Sequence, residues 1–209
     1  RFSSFEHLSE GIQNKLVMFL PLEEPVKISM AELENKTDME RNISLFYYVK
    51  PVLGVHEKNT AQHIRTGFDG DTGIVTIENP FNTEFAGRIA FIDVSVAQGE
   101  EPADKLEKYY TGDSLEFIGP EGSLKEPEAL KRKELSRTVG IAVDPCAVIQ
   151  VKVKLEPHSK KELVFVLGQG NDMTHVKSIT EKYRDLNNVK KEFERIKEFW
   201  RSKMDTVQV

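Results

Sequence analysis

The sequence is poor in cysteine, tryptophan and long apolar runs, and it carries no excess of basic charge. One cysteine, Cys146, in 209 residues excludes an intrachain disulfide framework. It also suits a reducing compartment, so a cytoplasmic location is expected. Lys and Arg number 29 against 34 Asp and Glu, a formal charge of −5 with a pI near 5.7. No overall basic field is offered to nucleic acid or to an anionic membrane, and neither is expected as a partner. The longest apolar runs, such as Leu163 to Leu167, fall far short of the roughly 20 residues that span a bilayer. No charged segment followed by an apolar stretch opens the chain, so no secretory signal is expected. The first residue is Arg1 rather than Met, which points to a segment excised from something longer or to a processed start. At 39% hydrophobic and 30% charged residues, the chain is too apolar to be disordered and can bury one good core with a small appendage.

What is present in the first two-thirds is strand after strand. Lys15 to Leu20 is a dense apolar run stopped by Pro21. Val26, Ile28 and Met30 alternate with Lys27 and Ser29, the period-two pattern of a half-buried strand. Ile43 to Val49 alternates likewise until Pro51. Gly67 to Gly73 is a turn sequence before Ile74 to Ile77, which predicts a hairpin. Arg88 to Val96 reads as a further strand. Ile149, Val151, Val153 and Leu155 sit opposite Gln150, Lys152 and Lys154, a strand with one apolar face. Leu163 to Leu167 is apolar on both faces and is expected in the middle of a sandwich. No βαβ rhythm appears, so the pattern predicts an antiparallel sandwich or barrel.

The segment from Ala97 to Arg137 is long, charged and rich in Gly and Pro, with one short helix expected over Pro127 to Glu134. The last residues change period. Val176, Ile179, Thr180 and Tyr183 follow helical spacing, as do Val189, Phe193, Ile196, Trp200 and Met204 after the candidate N-cap Asn188. These two amphipathic helices need a partner surface, either the sandwich or a neighbouring domain. The organisation expected is a sandwich over residues 1–170, with a long loop over 97–137, and linker helices over 171–209.

No catalytic constellation emerges from the residues. The five histidines (7, 56, 63, 158 and 175) are scattered without metal-ligand spacing, so no metal is expected. Asp69 to Gly73 resembles the start of a calcium loop, but the twelfth position is Pro80 where a bidentate Glu is required. Cys146, just ahead of a strand, fits a small buried hydrophobe better than a thiolate. Gly168-Gln169-Gly170 lacks the Lys-Ser/Thr of a phosphate loop. Acidic residues abound without a selected pair; Glu116 stands out only because apolar residues flank it.

Several stretches together resemble one family: Phe5 to Ile12, Pro25 to Ile28, Tyr48 to Val55, Asn79 to Arg88, Glu116 to Gly119, Gly122 to Leu124, Asp144 to Cys146 and Val166 to Gln169. In this order and spacing they are similar to the β-sandwich domain that precedes the catalytic barrel in cyclic β-1,2-glucan synthases and in the cellobiose and chitobiose phosphorylases. The resemblance covers nearly the whole chain. It implies a mainly β fold, an antiparallel β-supersandwich of the galactose-mutarotase type followed by two linker helices. It also implies an (α/α)₆ barrel as partner, carrying the general acid and the phosphate site, so no catalytic residue is assigned within this chain and no cofactor beyond the inorganic phosphate or sugar phosphate of the whole enzyme. The β-glucooligosaccharide substrate (β-1,2-glucan above all) and a possible homodimer are further implied partners. One departure stands out: members of the family commonly have arginines after Thr-Gly-Asp and after Glu-Phe-Leu-Gly, where this chain has Ser114 and Pro120.

Three roles follow as expectations. The chain is a non-catalytic module of a glycoside phosphorylase or glucan synthase; or a free-standing carbohydrate-binding sandwich; or a structural docking piece. Tyr109, Tyr110, Glu116 and Phe117 are the carbohydrate or active-site-loop candidates; the aromatics are read either as exposed rings that stack on sugar faces or, the better reading, as anchors of the loop to the sandwich. Phe193, Ile196 and Trp200 are the barrel-docking candidates.

Overall fold

A computed structural model describes residues 2–96 and 106–204. Ten strands form: β1 (Phe2–Ser9), β2 (Ile12–Phe19), β3 (Val26–Asn35), β4 (Arg41–Val49), β5 (Arg65–Asp69), β6 (Ile74–Glu78), β7 (Ile89–Val96), β8 (Lys108–Asp113), β9 (Pro145–Leu155) and β10 (Lys160–Gly170). The helices are α1 (Glu57–Thr60), α2 (Ser114–Phe117), α3 (Met173–Arg184) and α4 (Leu186–Met204). Seven strands make one sheet in the order β1-β2-β3-β10-β7-β6-β5, and three make a second in the order β4-β9-β8. Every pairing between these strands is antiparallel, as the absence of a βαβ rhythm predicts.

Three apolar layers result. Between the sheets lie Ile92, Val94, Ile149, Val151, Leu163 and Phe165. On the outer face of the large sheet, Phe91, Val164 and Val166 meet Val176, Ile179, Tyr183, Val189 and Ile196 of the helices. Residues 163–167 therefore feed two cores at once, which is why that run is apolar on both faces. The third layer covers the outer face of the small sheet, where Tyr109, Cys146 and Val148 pack against Phe117, Ala129 and Leu135.

The third layer corrects the reading of the long segment. The part of it at 97–105 lies outside the described residues. The remainder contains β8 and α2, and the expected helix over 127–134 is a single 3₁₀ turn, Glu128–Lys131. Gln150, expected on a solvent face, is fully buried. Its side chain accepts from Leu135 N at 2.9 Å and donates to the Lys133 carbonyl at 3.1 Å, pinning this segment to β9. A buried carboxamide in this position is tolerated because its polar atoms are satisfied.

The helices fold back on the large sheet. Asp172 caps α3, accepting from His175 N at 2.8 Å. The candidate cap Asn188 lies inside α4, which begins at Leu186, and its amide donates to the Lys182 carbonyl instead. Glu24, in the β2–β3 connection, accepts from Lys182 and from the Tyr183 hydroxyl. Burial pushes its carboxyl up, but the hydrogen bonds from Lys182 and Tyr183 outweigh that and hold it below the ordinary 4.5. A depressed carboxyl contributes stability that is present above its unfolded value and lost as pH falls through the folded one. Glu24→Gln is therefore expected to flatten the acid limb of the stability curve below about pH 4.5, read by chemical denaturation across pH. An unchanged limb would show that Glu24 does not couple α3 to the sandwich.

Candidate functional site

The residues singled out from the sequence do not converge. Tyr109 is 6% exposed and Phe117 3%, both within the third apolar layer. Phe117 stacks on Tyr48 at 5.1 Å between centroids. Tyr110 stacks on Phe68 at 3.9 Å. Of the two readings, the rings follow the anchoring one: Tyr109 and Phe117 are buried and Tyr110 is half-buried in its stack on Phe68, and an aromatic stabilises more by burial than at the surface. Glu116 accepts from Thr111 Oγ1 at 2.5 Å, Ser136 N at 2.8 Å and Ser136 Oγ at 2.6 Å. Both carboxylate oxygens are occupied in joining α2 to the 136–138 turn, a structural role for the side chain.

Of the helix candidates, Ile196 is fully buried against the sheet. Phe193 is half-buried, with an edge contact to Phe2 at 5.1 Å and a tilted contact to Phe19 at 5.2 Å between centroids. Trp200 is exposed at 38% and touches Phe199. Only the last turn of the stripe remains open; the rest serves the fold itself.

One end of the sandwich faces outward with several apolar side chains. The registers place the ends of β4, β6, β8 and β10 and the starts of β5, β7 and β9 at this end. Val55, Phe81, Phe85, Leu115, Ile141 and Val143 lie on the connections there, and all are exposed, Val143 completely. α3 starts at this end and α4 returns to it, since Glu192 reaches Leu22 N and Phe193 reaches Phe2 and Phe19. Exposed apolar residues scattered singly are ordinary, but a set gathered at one end marks an interaction surface.

The opposite end is closed by charge. Asp93, on the helix-facing side of β7 and 1% exposed, accepts from Lys108 Nζ at 2.5 Å and from Arg184 Nε and Nη2 at 2.8 and 3.0 Å. Lys108 also donates to the Gly73 carbonyl at 3.1 Å, and Arg184 to the Thr72 carbonyl. One carboxylate thus ties β7, β8, the β5–β6 hairpin and the end of α3. Burial pushes the Lys108 ammonium down, while Asp93 pulls it back up. The sequence offers no local signal for this cluster, because its members are 15 and 91 residues apart along the chain.

No group of three or more His, Cys, Asp or Glu that could hold a metal occurs among the described residues. No helix among them is long and apolar enough to cross a membrane. Cys146 is fully buried, and burial pushes its thiol up to about 12, against a smaller opposing hydrogen bond from Ser114. A thiol held protonated is a poor nucleophile. The native protein is expected to leave an aromatic disulfide reagent unreacted at neutral pH and to titrate one thiol on denaturation. Fast reaction of the folded protein would contradict the burial.

Comparison with known proteins bears on this geometry. The family model described as "Glycosyl hydrolase 94, supersandwich domain" matches residues 1–186. The cyclic β-(1,2)-glucan synthase NdvB of Rhizobium meliloti (strain 1021) is 24% identical over 84% of this chain and 6% of that enzyme. An N,N'-diacetylchitobiose phosphorylase of Vibrio furnissii is 23% identical over 100% of this chain and 25% of that enzyme. Among solved structures, a putative kojibiose phosphorylase from human microbiome aligns over 95% of this chain and 23% of its own, at 11% identity and a TM-score of 0.48. The chain thus spans a quarter or less of the length of these relatives.

Proposed function

The chain belongs to the glycosyl hydrolase 94 supersandwich-domain family, and from that premise we propose that it is the non-catalytic β-sandwich module of a glycoside phosphorylase or glucan synthase. Its partner in this reading is an (α/α)₆ catalytic barrel, and the whole enzyme acts on β-linked glucooligosaccharides, with β-1,2-glucan favoured by the synthase relative. Phosphate or a sugar phosphate enters at the barrel. There a carboxylic acid protonates the glycosidic oxygen as phosphate attacks the anomeric carbon. The sandwich contributes shape and position: it holds its connections on a rigid double sheet against the barrel.

One observation carries this reading. The exposed Val55, Phe81, Phe85, Ile141 and Val143 gather at the end to which α4 returns, leaving a face whose apolar side chains are open to solvent. Burying such a face against a neighbouring domain stabilises by about 25 cal/mol per Å² of apolar area removed from water. Sheltering of the connections 53–56, 79–88 and 141–144 is the test. Amide exchange is compared between the isolated chain and the product of the complete reading frame that contains it. Slower exchange at those three connections in the larger product is expected. Equal exchange in both would exclude a barrel seated on this end.

A further inference from the structure

We infer that the same end of the sandwich carries a binding site for one glycosyl unit of a neutral glucooligosaccharide, built by the Leu53 turn, the Asn79–Arg88 connection and the last residues of β10. A cleft of about 260 Å³ opens there, lined by Leu53, Asn79, Asn82, Phe85, Arg88 and Gln169 among others. That volume sits just under the roughly 300 Å³ at which small-molecule clefts begin, which suits a single sugar ring.

The cleft is pre-formed. Leu53 is held at φ 37, in the left-handed region that non-glycine residues seldom occupy. Its carbonyl accepts from Asn79 Nδ2 at 2.9 Å and Asn82 Nδ2 at 3.3 Å. The carbonyl oxygens of the two carboxamides accept from the loop backbone: Asn79 from Phe81 N at 3.1 Å, Asn82 from Glu84 N at 3.0 Å and Phe85 N at 3.2 Å. Each carboxamide therefore spends one N–H on Leu53 and has a second N–H to donate. Loop order of this kind lowers the entropy a ligand must overcome.

The lining has the character of a sugar site. The Arg88 guanidinium lies 5.8 Å from the centroid of the Phe85 ring and makes no ion pair among the described residues. Gln169 lines the cleft as well, with a carboxamide that offers both a donor and an acceptor. Phe85 and Leu53 supply an apolar wall for the C–H face of a pyranose, and the amides and guanidinium supply partners for its hydroxyls. No carboxylate lines the cleft. A lone arginine among neutral amides falls short of the several converging cations and backbone N–H groups that hold a phosphate.

The inference takes from the module reading only the identity of the probe sugar. The test is a ¹H–¹⁵N titration of the chain with sophorose, the β-1,2-linked glucose disaccharide, and separately with inorganic phosphate. The side-chain amides of Asn79, Asn82 and Gln169 are expected to shift with sophorose and saturate in the millimolar range. Arg88→Ala, an exposed position, is expected to weaken that binding roughly tenfold, as for a lost hydrogen bond to a charged group. Phe81→Ala, whose ring stacks on His63 outside the cleft, is expected to leave it unchanged. No shift with sophorose, or shifts with phosphate alone, would overturn the inference. Absent sugar shifts together with protected connections in the larger product would sink this site and leave the module reading intact. Sugar shifts without that protection would do the reverse.

Discussion

Asp93→Asn is expected to destabilise the domain by about 3–5 kcal/mol, the range for breaking a buried ion pair from one side. For a chain of this size that corresponds to a fall in Tm of about 10 °C. The cause is the fate of Lys108. Its side chain is 7% exposed, and Asp93 is its only carboxylate partner among the described residues. With the carboxylate gone, the ammonium must remain charged in a poorly solvated site or lose its proton. Arg184 is more exposed, at 20%, and loses less. Combining Asp93→Asn with Lys108→Met removes the stranded charge, so the double variant is expected to be more stable than Asp93→Asn alone. Thermal unfolding of the four proteins of that cycle reads the coupling directly. If the two losses simply add, the cluster is not a coupled unit.

The second large effect concerns the apolar end. Phe81→Glu with Val143→Glu places two carboxylates on side chains that are 73% and 100% exposed in the isolated chain. Stability of that chain is expected to change by less than about 0.5 kcal/mol, because neither residue is in a core. In the whole enzyme proposed above, the same pair is expected to weaken docking by more than about 2 kcal/mol, the scale of interface hot spots, because two charges would be desolvated against an apolar partner. Differential scanning calorimetry of both forms separates the outcomes. A loss confined to the complete enzyme supports docking at this end; equal curves would place the partner elsewhere.

Much of the fold was legible in the sequence because its determinants are local. Residues 163–167, apolar at every position, predicted a strand with two covered faces, and β10 sits between β3 and β7 with cores on both sides. The helical spacing of Val176, Ile179 and Tyr183 likewise predicted the face that is buried. β1 was not legible, since it is an edge strand exposed along its whole length and has no buried face to impose alternation. β8 was hidden because the residues around it are polar and their partners distant: Lys108 reaches Asp93, and Gln150 reaches the 133–135 segment.

The candidate site was legible only as a motif. The Asn79–Arg88 stretch supported the family resemblance, but its two asparagines converge on Leu53, 26 and 29 residues earlier. No spacing rule announces that contact. The anchoring reading of the aromatics fits because Tyr109 and Phe117 cover the outer face of the small sheet and are buried by doing so. Exposure, which decides between an anchor and a platform, depends on what the rest of the chain covers and is not a property of the residue alone.

The central claim is that this chain supports glycoside chemistry without performing it. The most direct measurement incubates the isolated chain with β-1,2-glucooligosaccharides and inorganic phosphate, then follows the formation of glucose 1-phosphate, with the product of the complete reading frame assayed alongside. The account predicts no sugar phosphate from the isolated chain and turnover from the complete product. Sugar phosphate formed by the isolated chain would contradict it.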